Sequence, residues 1–119
     1  MIVVNREYVI DEAAGTKITV EKLHVRKRND KKIEAEAVIS VVGLSNPEIK
    51  SEYIDLNTIE VVSSIVPLEG DYVVTSVNIN EPCKYNNSFT MKIYKIEGGS
   101  LTTPGTDETI KLFVKVVGE

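Results

Sequence analysis

Between residues 109 and 117, Ile110, Leu112, Val114 and Val116 take alternate positions, with Lys111 and Lys115 among the residues between them. A period of two belongs to extended backbone, where successive side chains point to opposite faces; a helix would scatter the same four residues around its circumference. The period recurs in Ile33, Ala35, Ala37, Ile39 and Val41, in Phe89, Met91 and Ile93, and in Ile18 and Val20. Many of these residues are β-branched, which suits a pleated, half-buried surface. Strands with one apolar face must cover it with another sheet. The pattern therefore predicts an all-β chain, an antiparallel β-sandwich of seven to eight strands.

Along the chain, 16–27 reads as a strand whose parity slips. Ile18 and Val20 share a face, and Leu23 and Val25 rejoin it only if a bulge sits near Glu21-Lys22. Asn29-Asp30-Lys31-Lys32 reads as a turn, making a hairpin with 33–41. Residues 58–66 and 72–80 follow as strands around a turn at Pro67 and Gly70-Asp71. Their doubled valines, Val61-Val62 and Val73-Val74, point to burial on both faces or a central place in a sheet. Residues 88–96 form another strand, and Glu7 to Ile10 an N-terminal one. Over 47–56 two readings stand. Asn46-Pro47-Glu48 is a good helix start, with Ile49, Tyr53 and Leu56 at helical spacing; alternatively Ile54 and Leu56 open a strand. Glu81 to Asn87 and Glu97 to Glu108 read as long loops, with Gly98-Gly99 lending the second flexibility.

The 119 residues make one domain, 1–119, large enough to bury a core without metal or disulfide. A net charge of −4 makes nucleic acid a poor general partner, since phosphate binding wants a basic face. Cys83 is the only cysteine, which excludes an intrachain disulfide. With no leader-like start and no run of roughly 18 apolar residues, the expected location is the cytoplasm or a particle assembled there, without a membrane span.

The chemistry-bearing residues are sparse. His24 is the single histidine, set among Lys22, Arg26 and Arg28, and reads as an exposed or half-buried strand residue. Cys83 beside Lys84 has no histidine near it in sequence and reads as a small hydrophobe. The acid pairs Asp11-Glu12, Glu69/Asp71 and Asp107-Glu108 flank turns, and 6% aromatics without tryptophan leave a sugar cleft few walls. No catalytic, metal or cofactor site is expected. Arg26, Lys27, Arg28, Lys31 and Lys32 crowd one hairpin tip, either as a finger toward an acidic surface, phosphate or lipid headgroup, or as charge that keeps strands from pairing with one another.

Two functions follow as expectations. The first is a non-enzymatic structural, assembly or protein-interaction module with a protein partner that includes a second copy of itself. By analogy of fold class alone, such chains resemble subunits of larger particles, phage or prophage components among them. Val38, Val42, Phe113 and Val117, on outward positions, would suit a subunit interface. The alternative is a small ligand- or carbohydrate-binding module using Tyr85 and Tyr94 as ring platforms.

Overall fold

The computed structural model describes residues 1–80 and 87–119. Extended backbone forms wherever the two-residue period runs. Its strands are β1 (Ile2–Asp11), β2 (Thr16–Lys27), β3 (Ile33–Val42), β4 (Glu48–Lys50), β5 (Ile59–Pro67), β6 (Tyr72–Asn80), β7 (Ser88–Glu97), β8 (Ser100–Thr102) and β9 (Thr109–Gly118). They build two antiparallel sheets: five strands in the order β1-β2-β3-β9-β5, and a smaller sheet ordered β4-β7-β6, with β8 also paired to β7.

The apolar sets named by the alternation face each other across the gap. Ile18, Val20 and Leu23 of β2, Ala35 to Val41 on alternate positions of β3, and Ile110 to Val116 of β9 are all buried. Ile49 of β4 and Phe89, Met91 and Ile93 of β7 meet them from the smaller sheet. Each fully buried side chain of this size contributes roughly 1.5–3 kcal/mol, so the shared interior outweighs any single surface interaction. The parity slip in β2 is a bulge at the expected place. Val20 pairs with Ile39 and Lys22 with Val38, leaving Glu21 as the extra residue. Val25 keeps the inward side, opposite buried Ala35, but is 38% exposed and borders a hollow with Ile2, Val4 and Leu23.

Three local expectations change. The doubled valines do not mark central strands: β5 and β6 are both edges, and Val61 is 51% exposed. β9 enters between β3 and β5, and local sequence carries no record of that distant neighbour. The helix start at Asn46-Pro47 does not form. Ile93 N–H donates to Ser45 O and Met91 N–H to Pro47 O, after which Glu48–Lys50 pairs with Ser88–Thr90. A helix here would leave that edge of β7 without backbone partners. Among the described residues, helical backbone is one 3-10 turn, Ser51–Ile54, within the 47–56 span; it sinks Tyr53 and Ile54 into the core, and no strand opens at Ile54 and Leu56. Finally, Gly98-Gly99 is a tight turn rather than a slack loop. Glu97 pairs with Ser100, and both glycines take positive φ, 55° and 79°, as a two-residue hairpin of this hand requires.

At the β2–β3 turn, Arg28 N–H donates to Lys32 O and Lys31 N–H to Arg28 O, which holds Lys31 at φ 67°. A side chain there is strained, and glycine is not. Lys31→Gly is expected to raise the urea midpoint, a gain of about 1 kcal/mol or less after the entropy glycine adds to the unfolded chain. A lower midpoint would contradict this turn geometry.

Candidate functional site

β1 is the edge of the larger sheet, paired with β2 on one side and with no strand on the other among the described residues. Its register fixes which way each side chain points. Ile2, Arg6 and Tyr8 pair with Leu23, Val20 and Ile18 and face the gap between the sheets; Val3 and Val9 pair with Lys22 and Lys17 on the outer face. Four apolar residues remain uncovered at its two ends: Ile2 is 71% exposed, Val3 62%, Val9 58% and Ile10 47%. Long edges are normally blunted by lysine, proline or a bulge, because their unpaired N–H and C=O groups invite another strand. β1 has neither lysine nor proline. It has a kink at Asn5, φ 46°, where the register with β2 slips between Val3 and Arg6.

The inner face of β1 borders a groove that the smaller sheet leaves open. Tyr8 stacks on Tyr53 of the 3-10 turn with ring centroids 4.0 Å apart and planes inclined by 24°. Such a pair adds roughly 0.5–1.5 kcal/mol beyond its buried area. Asp55, just past the turn in left-handed conformation (φ 59°), accepts from both Nη atoms of Arg6 at 2.8 and 3.3 Å. That hydrogen bond strengthens the guanidinium's hold on its proton, against a smaller opposing effect of burial. Both partners are substantially exposed, so the pair is worth about 0–1 kcal/mol and serves mainly to fix position. Arg6 Nε, shielded from solvent, has no acceptor among the described residues. Two hollows border β1: one of 390 Å³ lined by residues including Val9, Ile10, Leu44, Pro47 and Tyr53, and one of 210 Å³ lined by Ile2, Val4, Leu23, Val25 and Asp55. Burial of Tyr53 pushes its hydroxyl above the ordinary range, so it stays neutral beside the first hollow.

No protein-family model matches this chain, and no curated protein or solved structure matches it significantly. What its surface can do follows from the groups themselves.

Of the five basic residues at the β2–β3 tip, Arg26, Lys27 and Arg28 line a 330 Å³ hollow together with Asn29 and Asp30, whereas Lys31 and Lys32 do not. Much of their charge is already paired, however. Arg26 reaches Glu34 at 3.5 Å, Arg28 reaches Asp30 at 3.0 Å, and Lys32 reaches Glu60 at 2.6 Å and Glu119 at 3.1 Å. Lys27 and Lys31 make no ion pair among the described residues. Tyr94 lies on the outer side of β7, half-buried, with Lys92 Nζ 5.7 Å from its ring centre. Tyr85 and Cys83 lie outside the described residues. His24 is exposed, opposite Glu36 in the β2–β3 register. Among the described residues no three His, Cys, Asp or Glu side chains converge as metal ligands, and no helix is long and apolar enough to cross a membrane.

The outward apolar residues of the larger sheet form no open patch: Val38, Val42 and Phe113 are half-buried and Val117 is buried. Rows of charge flank them, including Arg26–Glu34–Lys115 and Glu21–Lys111. Among the strands, β1 carries the largest share of exposed large apolar residues, with Ile2, Val3, Val9 and Ile10, while β5 at the opposite edge carries Val61 and Val66. Alternation alone did not pick out Arg6, Tyr8, Tyr53 or Asp55; the signal available was the adjacent pairs Ile2-Val3 and Val9-Ile10, which a strand with one dry face has no reason to carry.

Two of the paired acids, Glu34 and Glu108, are held below the ordinary carboxyl range by their partners. Burial would push Glu34 up, but the hydrogen bond from Lys115 and the charges of Arg26 and Lys115 win and hold it below its ordinary 4.5. At the rim of the core, Glu108 takes Lys95 Nζ at 2.7 Å and the Tyr72 hydroxyl at 3.0 Å. The Lys95 hydrogen bond lowers Glu108 more than burial raises it, with Tyr72 adding to the lowering. A carboxyl depressed in the folded state binds fewer protons there than in the unfolded chain. Its stabilisation is therefore complete above the ordinary value and lost as pH falls through the folded one. The urea midpoint is expected to hold steady from pH 7 to about 5 and drop below 4.5, with a shallower drop in Glu34→Gln with Glu108→Gln. An unchanged acid slope in that double variant would contradict the assignment.

Proposed function

We propose that this protein is a non-enzymatic interaction and assembly module that accepts an extended strand on the open edge of β1. The observation that carries this reading is that edge itself: ten residues long, free on one side among the described residues, with Ile2, Val3, Val9 and Ile10 uncovered. A strand laid beside β1 would satisfy backbone groups that now face water. It would also cover apolar side chains on both faces of the sheet, with the 390 Å³ hollow beside Val9 and Ile10 ready to seat a partner side chain. Backbone pairing supplies affinity and such pockets supply selectivity. The basic tip is secondary in this account, because Arg26, Arg28 and Lys32 already have acidic partners. Subunits of larger particles, those of phages and prophages included, belong to the same class of function, an extension resting on fold class alone.

The test places a photo-crosslinking amino acid at position 3 or 9, with position 77 on β6 as control, since Val77 is also exposed (40%). Irradiation in the cells that make the protein is expected to give a discrete covalent adduct from positions 3 and 9 and none from 77. No adduct at 3 or 9, or equal yields at all three, would sink the proposal.

A further inference from the structure

Resting on the reading of β1 as the docking edge, we infer that its partner is a second copy of this chain, paired antiparallel about a two-fold axis at Arg6. The strand Ile2-Val3-Val4-Asn5-Arg6-Glu7-Tyr8-Val9-Ile10 reads nearly the same in both directions from its centre. In a two-fold antiparallel pair centred on Arg6, Ile2 lies opposite the other copy's Ile10 and Val3 opposite its Val9. Val4 meets Tyr8, and Asn5 meets Glu7. Side chains opposite each other must share a sheet face. Val3 and Val9 are both outer, as their pairing with Lys22 and Lys17 shows, and Val4 and Tyr8 both pack against the core. Ile2 is inner through its pairing with Leu23, and Ile10, at the register irregularity between Val9 and Asp11, lines the same hollow as Leu44 and Tyr53.

Neighbouring registers fail on chemistry. A shift of one residue opposes inner to outer faces along the strand. A shift of two sets Val3 against Glu7 or Asp11, replacing a matched apolar pair with an apolar residue opposite a carboxylate. Only the register centred on Arg6 matches the four exposed apolar residues entirely with one another. The two Arg6 side chains approach at the axis, each with its own Asp55 at 2.8 Å, so the centre holds alternating charges rather than two bare cations. An interface of this kind is isologous and closes on itself, so it yields a dimer and stops there. The two five-stranded sheets become one continuous sheet of ten strands, joined β1 to β1.

Disulfide trapping tests both the partner and the register. In a Cys83→Ser background, Val3→Cys and Val9→Cys are made separately, mixed and oxidised. Directly opposed positions place Cβ atoms roughly 4.5–5.5 Å apart, near bonding distance, while each residue lies about 20 Å along the strand from its own copy. The mixture is expected to form a disulfide-linked species of twice the chain mass, and each variant alone is expected not to. In light scattering without cross-links, Val9→Lys is expected to weaken self-association on the order of tenfold while leaving the far-ultraviolet circular dichroism unchanged, because each substitution counts twice across the axis. A dimer that gives no 3-to-9 disulfide overturns this pairing and leaves the edge reading standing. A chain that stays monomeric while positions 3 and 9 cross-link to a species of another mass overturns the second copy in favour of a foreign strand. Absence of both self-association and cross-links defeats this inference together with the proposal it rests on.

Discussion

Phe89→Ala is expected to cost about 3–5 kcal/mol of folding free energy, the usual range for emptying a buried phenylalanine site. Phe89 has no exposed surface and pairs with Ile49 on one side and Ile79 on the other, at the middle of the smaller sheet. That sheet offers the gap few fully buried side chains, namely Ile49, Phe89, Met91 and Ile93. Phe89 is the largest of the fully buried side chains, so emptying its site adds a cavity cost to the transfer cost. Against a typical margin of 5–15 kcal/mol for a domain, the loss takes a large share of total stability. Urea unfolding should show it as a lower midpoint at unchanged slope. Val77→Ala, at an exposed position, should stay within about 0.5 kcal/mol of wild type. If Phe89→Ala cost less than about 1 kcal/mol, the two sheets would not share the interior described above.

Gly118→Ala is expected to destabilise by roughly 1–3 kcal/mol through overpacking, and Gly118→Val by more. The glycine is not needed for an unusual backbone angle; it is needed for space. Gly118 pairs with Ile33 of β3 and Ile59 of β5, and a Cβ at this position would overlap the carbonyl oxygen of Thr58 and lie 3.2 Å from Ile59 Cα. Those atoms cannot swing aside cheaply. Glu119 N–H donates to Thr58 O at 3.2 Å, and the Thr58 and Asn57 N–H groups both donate to Glu119 O. An added methyl must therefore push β5 off β9 or break this clasp. Amide exchange along β5 should accelerate more than exchange along β2 in the alanine variant. Wild-type stability and exchange in Gly118→Ala would show that β5 is not held where it is placed here.

The faces of this protein were legible in its residues, and the neighbours were not. Period two told that Ile39, Leu112 and Ile93 point inward, and it located the bulge at Glu21, because each of those facts is local. That β9 lies between β3 and β5 depends on contacts far apart in sequence, and so does the edge position of the valine-rich β5. The three-residue strands β4 and β8 are too short for a period to register; what creates them is the need of β7 for backbone partners. Lys95, Glu108 and Tyr72 meet only because the turn before β9 returns to the rim of the smaller sheet. The candidate site was half visible. The symmetry of Ile2-Val3 and Val9-Ile10 about Arg6 is written in the chain, but its meaning depends on β1 being an edge.

Residue-resolved amide hydrogen exchange, run at low and high protein concentration, tests that meaning most directly. The account expects β3 and β9 to exchange slowest at both concentrations, and β1 alone to gain protection in proportion to the fraction of dimer. Protection gained instead along β5 or β6, or a dimer that leaves β1 exchanging as fast as the monomer does, would contradict it.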